Sequence, residues 1–433
     1  MTTLQNTVIN LSPDSLPFSL DWLSPQACLV GGAVRDALLQ CHRPYLDLDF
    51  VLPKLAIDTA RNMAKHYQAG FVVLDADRHI ARVIFKQGTV DFAQQEGETL
   101  EKDLQRRDFT INAIAYNFHE QKLIDPLQGL RDLEQGILRM VSPKNLQDDP
   151  LRLLRAYRQG AQLNFTIEPK TRETIQQLAP LIHRVAAERV QSELGYLLGN
   201  IQGTKWLIEV AHDGLLKSWF NQLTEDKLQQ LVQIDKAIQF LRESLGQDDF
   251  KQLFDYSLDN YQYYTETIQR AKLACLVSND PQKAELELIN LKYSRGDIRA
   301  VTKALTYLPQ LQESSGKMSL RNLYFLFLGV GNVFPVMAIL ALAMGINSLN
   351  IIELIYRYLD PKDQVAHPHP LVNGNDLINN LQMKPSRKIG QLLTEIQIAH
   401  IEGKISTVEE ALQFAQCYTK TSKNNDDVDD IIE

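Results

Sequence analysis

The architecture of this chain follows first from two stretches of its sequence, GGAVRD at 31–36 and LDLDF at 46–50. The first predicts a glycine turn that opens a helix, and the second predicts a strand. Glycines let backbone N–H groups come close to a triphosphate. Because strand side chains alternate between two faces, Asp47 and Asp49 share a face, where two carboxylates can hold the two divalent metals of nucleotidyl transfer. Either stretch alone is typical of an ordinary turn or strand end, but together they predict a nucleotidyl-transfer site.

Length and composition indicate an ordinary soluble protein of several modules. The 433 residues exceed what one hydrophobic core organises, and a hydrophobic content of 44% is usual for globular domains. The four cysteines are scattered without a C-x-x-C pair, so neither a disulfide framework nor a zinc site is predicted. The first residues lack a basic segment followed by an apolar one, so we expect a cytoplasmic protein.

One nearly uncharged stretch, 323–344, has about the length of a membrane span. Gly329, Gly331, Asn332 and Pro335 interrupt it in the middle. Because such residues break a helix, the stretch predicts two short buried helices joined by a turn, and no membrane association.

The character of the chain changes near residues 137–145. Before this point, strand-like and helix-like runs alternate, which predicts a mixed catalytic head. The strand-like runs are CLVGG, LDLDFVL, GFVVLD, ARVIFKQGTVDFA and QKLIDP, and the helix-like runs are AVRDALLQ, AIDTARNMAKHY and DFTINAIAYN. After this point, long amphipathic segments predict helices almost to the end.

Two further elements extend the head. Asp91 ends a strand-like run and is a candidate third acid, for metal binding or for deprotonating an attacking hydroxyl, with a plain strand-end acid as the alternative. The adjacent Arg106 and Arg107 can clamp phosphates. Asp108 and Asn112 are four residues apart on one face of a predicted helix, where they could bind a ribose hydroxyl and a phosphate.

The segment DDPLR at 148–152 predicts a helix that opens on Pro150. Asp149 and Arg152 are three residues apart and can reach one edge of a ligand. The carboxylate can accept from the amino group of cytosine or adenine while the guanidinium donates to a ring acceptor, and guanine and uracil invert that pattern. The alternative is a capped helix with a surface salt bridge.

These stretches resemble, in the same order, the motifs of class II tRNA nucleotidyltransferases, the bacterial CCA-adding and poly(A) polymerase group. The matching segments are LVGGAVRDALL, DLDF, VDFA, DLQRRDFTINAIAYN, LIDPLQGLRDL, DDPLRLLRAYR and AERVQSEL, within roughly the first 200 residues. A weaker match, HPLVNGNDLINNLQMKPSRKIGQLL, lies near the C-terminus.

The resemblance implies an α+β protein, with a polymerase-β-like nucleotidyltransferase head followed by an all-α neck, body and tail. The implied parts are a head at 1–140, a neck at 141–200, a body at 201–345, a tail at 346–420 and a disordered acidic segment at 421–433.

The resemblance also implies roles for individual residues. Asp47 and Asp49 hold Mg²⁺. The nucleotide-binding residues are Gly31, Gly32, Arg35, Arg107, Asp108, Asn112, Asp149, Arg152, Arg155 and Arg158. Glu188 and Arg189 line the neck side of the pocket. The tail binds tRNA, with Lys384, Arg387 and Lys388 as its basic cluster.

The sequence departs from the family pattern in two places. The templating motif begins with Asp148 instead of the usual glutamate, which keeps the charge. The link between the VDFA strand and the RRD motif, 94–105, is about half the length of the flexible loop in full CCA-adding members. In this family that loop is linked to the switch from CTP to ATP. The short link therefore favours a CC-adding enzyme, which uses CTP and works beside a separate A-adding enzyme.

Several alternatives stay open from the sequence alone. A complete CCA-adding enzyme would use CTP and ATP, with the short link as a neutral deletion. A poly(A) polymerase shares the head, but a pI near 5.7 speaks against a processive RNA-tailing enzyme. A small-molecule nucleotidyltransferase would not need Asp149 and Arg152, and a non-catalytic RNA-binding protein would not need intact Asp47 and Asp49. The pair His212 and Asp213 could indicate a metal phosphohydrolase, but partner histidines at suitable spacing are missing from the sequence.

Overall fold

The structure is a computed structural model that describes residues 13–41, 45–200, 202–220, 222–254, 261–313 and 318–429. It forms two compact units, one of Met1–Leu197 with Lys205–Ser218 and one of Leu198–Thr204 with Trp219–Glu433. Among the described residues, the strands all belong to the first unit and the second unit is helical. The predicted α+β fold class is therefore confirmed, whereas the boundaries of the four predicted parts stay a prediction.

The first unit contains a mixed sheet and the helices around it. Its strands are β1 Cys28–Val30, β2 Leu46–Leu52, β3 Gly70–Asp75, β4 Ile80–Ile84, β5 Gly88–Gln94, β6 Ala115–Asn117, β7 Lys122–Ile124, β8 Ile137–Leu138 and β9 Thr166–Ile167. The helices up to residue 212 are α1 Gly32–Leu38, α2 Ala56–Tyr67, α3 Leu100–Leu104, α4 Gly129–Gln135, α5 Pro143–Asp148, α6 Leu151–Leu163, α7 Pro169–Leu178, α8 Ala187–Leu198 and α9 Gly203–His212.

Seven strands form the main sheet in the order β3-β4-β5-β2-β1-β6-β7, and β8 pairs with β9 separately. Strand β2 is the middle strand of this sheet. Its side chains alternate, so Leu48 and Phe50 are buried on one face while Asp47 and Asp49 lie on the other. Phe50 stacks on Phe92 of the parallel neighbour β5, with ring centroids 5.8 Å apart. This aromatic core holds the opposite, acidic face of β2 in place.

The segment DFTINAIAYN at 108–117 is not the helix that its sequence predicts. It forms a short 3₁₀ turn, Thr110–Asn112, followed by strand β6. Strand β6 pairs with β1, where Tyr116 lies opposite Leu29. Its apolar residues are buried on both sides, so the spacing that suggests a helix reflects two covered faces of a short strand.

The second unit is a set of helices around an apolar centre. Its described helices are α10 Glu225–Ser244, α11 Gln247–Leu253, α12 Tyr261–Leu276, α13 Pro281–Asn290, α14 Arg295–Glu313, α15 Leu320–Val330, α16 Phe334–Ala343, α17 Ser348–Leu359, α18 Gly374–Leu381, α19 Arg387–Ile401 and α20 Val408–Asp429. Helix α16 packs against α10, α12 and α14 and is buried all round, as expected of a helix that is apolar on every side.

The apolar stretch 323–344 forms the two short helices that the sequence predicts. A 3₁₀ turn, Gly331–Val333, joins α15 to α16. By length and composition Leu320–Ala343 could cross a membrane, but 67% of its most apolar window is buried inside the chain. The stretch is therefore the core of the helical unit.

Helices α18, α19 and α20 share a small core of their own, built on Leu377, Leu392, Ile396 and Ala411. The predicted disordered segment, 421–433, falls on α20 as far as Asp429, and residues 430–433 lie outside the described part of the chain.

Candidate active site

The two acids of β2 open into a cavity of about 1160 Å³ in the first unit. Asp47 lies opposite Thr89 of β5, whose Oγ1 donates to Asp47 Oδ1 at 2.9 Å, and Asp49 lies opposite Asp91. The same cavity is lined by twelve of the predicted residues: Gly31, Gly32, Arg35, Asp47, Asp49, Arg107, Asp108, Asn112, Asp149, Arg152, Arg155 and Arg158. The fold therefore brings together side chains that lie more than 100 residues apart in the sequence.

Burial and neighbouring negative charge both act on Asp49. Its carboxylate reaches solvent in the cavity but is closely surrounded by protein atoms. The pKa of Asp49 is raised to about 6, chiefly by burial, with Arg107 lowering it and the nearby Asp91 and Asp47 raising it. A carboxylate whose charge is disfavoured in this way gains from a cation beside it.

These carboxylates fit a divalent metal. Mg²⁺ is usually bound through one or two protein carboxylates together with substrate phosphates and water, so it does not need an all-protein cage. Within the described residues, no group of three or more His, Cys, Asp or Glu side chains could hold a metal without a substrate. Asp47 and Asp49, on one face of β2, fit a metal that is bound by two carboxylates together with the phosphates of a substrate.

Asp91 lies beside Asp49 but does not line the cavity. Arg82 of β4 takes both of its carboxylate oxygens, with Nε–Oδ1 at 2.6 Å and Nη2–Oδ2 at 2.8 Å. The predicted third acid is thus held by a bidentate ion pair that the sequence reasoning missed. Its predicted role as a catalytic acid stays a prediction.

The glycine turn forms the wall next to the two acids. Gly31 has φ +77, which disfavours any side chain, and a Cβ there would lie 3.0 Å from Nη1 of Arg107. Arg35, one turn into α1, is buried and donates to Asn112 Oδ1 at 2.7 Å and to Asp36 Oδ1 at 2.8 Å. The backbone of the turn is therefore accessible from the cavity. Arg35 stabilises the segment behind it through its contacts with Asn112 and Asp36.

Asp108 and Asn112 contact each other, although the predicted helix is absent: Asn112 ends the 3₁₀ turn and Asp108 precedes it. Asn112 Nδ2 donates to Asp108 Oδ1 at 2.9 Å and to Gln159 Oε1 at 3.0 Å. Arg155 Nη1 lies 3.3 Å from Asp108 Oδ2. Burial alone would raise the pKa of Asp108, but Arg155 and the hydrogen bonds from Asn112 and the Phe109 N–H hold it below its ordinary value.

The arginines that follow the templating motif are anchored by a glutamate. Glu193 of α8 is buried and accepts from both Arg155 and Arg158. The Arg158 guanidinium also lies over the ring of Tyr196, 5.2 Å from its centroid. These contacts hold a positive surface along one side of the cavity.

The templating pair is placed where α5 ends and α6 begins. Asp149 is extended, at φ −132 and ψ 91, and its Oδ1 accepts from the Leu151 N–H at 3.3 Å. Arg152 Nη1 donates to the carbonyl oxygens of Arg106 at 2.8 Å and Asn145 at 3.1 Å. The two residues thus face one cavity from fixed positions, with Arg152 Nε 4.0 Å from Asp149 Oδ2.

The short link between β5 and the RRD motif is an ordered piece of structure. It contains α3, whose N-cap Thr99 accepts from the Lys102 N–H. Glu96 forms an ion pair with Arg106, and its N–H donates to Asp103 Oδ1 at 3.0 Å. The link is therefore bound through Glu96 to Arg106, whose backbone carbonyl oxygen accepts from Arg152 Nη1.

Two other predicted features lie elsewhere. Lys384, Arg387 and Lys388 are exposed between α18 and the first turn of α19, in the second unit. Asp213 accepts from Tyr157 and, at 2.8 Å, from Nε of Arg172, so its carboxylate serves the packing of the first unit.

The fold and this cavity define a nucleotidyltransferase. The chain matches three protein-family descriptions: "Poly A polymerase head domain" at 27–139, "Probable RNA and SrmB- binding site of polymerase A" at 164–227, and "tRNA nucleotidyltransferase domain 2 putative" at 261–415. A CC-adding tRNA nucleotidyltransferase of Synechocystis sp. is 53% identical to it, covering 93% of this chain and 95% of that protein. The chain belongs to the tRNA nucleotidyltransferase family, which confirms the family predicted from the motifs.

Two further comparisons agree with this assignment. A CC-adding tRNA nucleotidyltransferase of Geobacter sulfurreducens is 30% identical, covering 90% of this chain and 91% of that protein. The structure of the Thermotoga maritima CCA-adding enzyme complexed with tRNA has the same fold, with a TM-score of 0.71 at 23% identity, covering 96% of this chain and 98% of that one.

Proposed function

We propose that this chain transfers CMP from CTP to the 3′ end of tRNA and stops after two cytidines, in the synthesis or repair of the CCA end. The observation that carries this proposal is the shared cavity, in which Asp47 and Asp49 form one wall and Asp149 and Arg152 another. A catalytic acid pair and a base-reading pair in one cavity suit a template-independent nucleotide addition. The CC-adding name of the two relatives supports the same subtype.

The reaction is the attack of the tRNA 3′-hydroxyl on the α-phosphorus of CTP. The new bond joins the 3′-oxygen to that phosphorus, the hydroxyl proton is released to water, and the bond to the bridging oxygen breaks to release pyrophosphate. Asp47 and Asp49 would hold Mg²⁺, which supplies charge neutralisation at the triphosphate and lowers the pKa of the hydroxyl. The chain itself binds, orients and selects the nucleotide.

The residues around the acids would hold the triphosphate and the sugar. Arg107 lies beside the Gly31 turn, and its Nε is buried and has no hydrogen-bond partner among the described residues, so it can donate to a phosphate oxygen. Asp108 and Asn112 form a fixed pair of acceptor and donor groups that suits the ribose hydroxyls.

Base selection would depend on the hydrogen-bonding edge of the nucleotide. The Asp149 carboxylate accepts from the amino group of cytosine, and Arg152 donates to its ring nitrogen or carbonyl. Uracil and guanine place a carbonyl where Asp149 needs a donor, so two acceptor oxygens would face each other and these bases are disfavoured.

The short link explains the choice of CTP alone. It is closed by Glu96 and Arg106, and Arg106 in turn positions Arg152. With the template held in this way, a separate A-adding enzyme completes the CCA end.

We place this reaction in the cytoplasm. We divide the chain into the head, neck, body and tail at the boundaries given above, with the tail as a tRNA-binding part.

Product length tests this proposal directly. Purified protein is incubated with Mg²⁺, CTP, ATP and a tRNA transcript that lacks CCA, and the product is resolved at single-nucleotide resolution. We expect two added cytidines. Three added residues that end in adenosine would identify a complete CCA-adding enzyme, and a long adenosine ladder would identify a poly(A) polymerase.

A further inference from the structure

Arg189, in the first turn of α8, contacts the base-reading carboxylate. Its Nη2 lies 3.1 Å from Asp149 Oδ2 and its Nη1 lies 3.4 Å from Asp149 Oδ1. The two contacts form a fork that matches both carboxylate oxygens. In the part of the chain that the structure describes, no further side-chain partner of Arg189 is found. The guanidinium lines the cavity and its side chain is half exposed.

The arginines around Arg189 are used differently. Arg155 and Arg158 are anchored on Glu193, and Arg152 is anchored on two backbone carbonyl oxygens. Among these cavity arginines, Arg189 makes the shortest contacts with the acceptor that would read the amino group of the base, whereas Arg152 Nε lies 4.0 Å from it. Its contact therefore concerns base selection more than triphosphate binding.

The fork fixes the plane of the Asp149 carboxylate. Without the contact from Arg189, the Asp149 carboxylate keeps the 3.3 Å hydrogen bond from the Leu151 N–H on Oδ1. The carboxylate can then rotate about its side-chain bonds. Arg152 Nε is only 4.0 Å away, so a released Asp149 can pair with Arg152. In such a pair, the Asp149 acceptor and the Arg152 donor would bind each other and would no longer be available to the incoming base.

We propose that Arg189 is a positioning residue for base selection: its guanidinium holds Asp149 toward the incoming base and away from Arg152. Each carboxylate oxygen has two lone pairs, so Asp149 can accept from Arg189 and from cytosine together. The inference deepens the proposed function, on which it rests, by assigning specificity to a residue outside the templating motif.

Single-nucleotide addition to a tRNA transcript without CCA tests this role. The catalytic efficiency kcat/KM is measured with CTP and with UTP for the wild type, Arg189→Gln and Arg189→Lys. We expect Arg189→Gln to lower kcat/KM for CTP ~10-fold with little change for UTP, because only the cytosine amino group needs an oriented acceptor. Arg189→Lys should recover part of the ratio, since one ammonium can replace one arm of the fork.

A matched control is Arg78→Gln, which removes one charge from an exposed side chain at the same cavity. This control should keep the CTP-to-UTP ratio of the wild type. An equal loss for CTP and UTP in Arg189→Gln would assign Arg189 to the triphosphate, and an unchanged kcat/KM for both nucleotides would remove it from selection. Either result overturns the inference.

A double variant protects the test against a folding defect. In an Asp149→Ala background, Arg189→Gln should cause no further change in the ratio, because the group that it positions is missing. A further loss there contradicts the inference. A wild type that adds no cytidine would instead overturn the proposed function, so the two failures are distinguishable.

Discussion

Two residue types, acids and apolar side chains, alternate along β2 and decide where the candidate metal ligands lie. Leu48 and Phe50 are buried, so Asp47 and Asp49 must lie on the cavity side. A slip of one residue in the pairing of β2 would bury both acids. The apolar half of LDLDFVL is therefore as necessary to the site as the acidic half.

Replacing Asp49 with Asn tests the acid pair. The amide keeps the shape of the side chain but removes its charge, so we expect kcat to fall ~100- to 1000-fold, the equivalent of several kcal/mol of lost charge stabilisation. The matched control is Asp58→Asn on α2, where the exposed carboxylate pairs with Arg61 on the surface. Primer extension with CTP measures both. Full activity of Asp49→Asn would contradict the assignment.

Thr89 offers a finer test of the same site. Its hydroxyl donates to Asp47 Oδ1 at 2.9 Å and orients that carboxylate. Thr89→Val removes the hydroxyl at nearly constant shape, so the Mg²⁺ concentration for half-maximal rate should rise ~10-fold, as for other groups that orient a metal ligand. Thr89→Ser keeps the donor and should stay near the wild type. Equal Mg²⁺ dependence in Val and Ser variants would show that the hydrogen bond has no role.

At the scale of elements, the sequence predicts what a short repeat in one segment can specify. The alternation in β2, the glycine turn before α1 and the apolar face of α2 depend on neighbours a few residues away, and the structure confirms these elements. The segment 108–117 is the exception, because its pairing partner, Leu29 in β1, is about 90 residues away. Tertiary pairing overrides its local spacing.

The parts of the site differ in how far their contacts reach along the sequence. Motif residues such as Asp149 and Arg152 are visible because they share a helix start. The contacts that hold them are not visible: the resemblance places Arg189 at the pocket, but its contact with Asp149 spans 40 residues, and the contact of Thr89 with Asp47 spans 42. A single sequence gives no signal for such pairs, although each is an ordinary polar contact in the folded chain.

The short link gives a prediction at this scale. We expect insertion of six Gly and Ser residues after Gly97 to leave the product at two cytidines. The insertion adds flexible length next to an exposed turn, at a cost of ~1 kcal/mol or less in the free energy of unfolding, but it makes no packed contact that could move Arg152. Product length with CTP and ATP is the measurement. An adenosine-terminated product would show that length alone limits the enzyme.

The whole molecule carries a formal net charge of −8, so its binding of tRNA must depend on local basic clusters. In the first unit the arginines of the cavity form one such cluster. In the second unit Lys384, Arg387 and Lys388 form another at the start of α19. Helices α18, α19 and α20 share a separate small core, so the basic cluster stands on a folded support and can be changed without disturbing the cavity residues.

Changing all three tail residues to Gln should weaken tRNA binding without changing the chemistry. Each lost phosphate contact lowers the salt dependence of log Kd by about one unit, so we expect a slope reduced by ~2 to 3, a higher KM for tRNA and an unchanged KM for CTP. The charge-matched control is Lys236, Lys251 and Lys283 to Gln, all exposed lysines of the same unit. Binding is measured from 50 to 200 mM salt, a range of the order used to resolve such slopes. If the salt-dependence slope falls equally in both triple variants, tRNA is attracted by the total charge and not by the tail cluster. A local interface would make the loss of the tail cluster differ from the loss of the three control lysines.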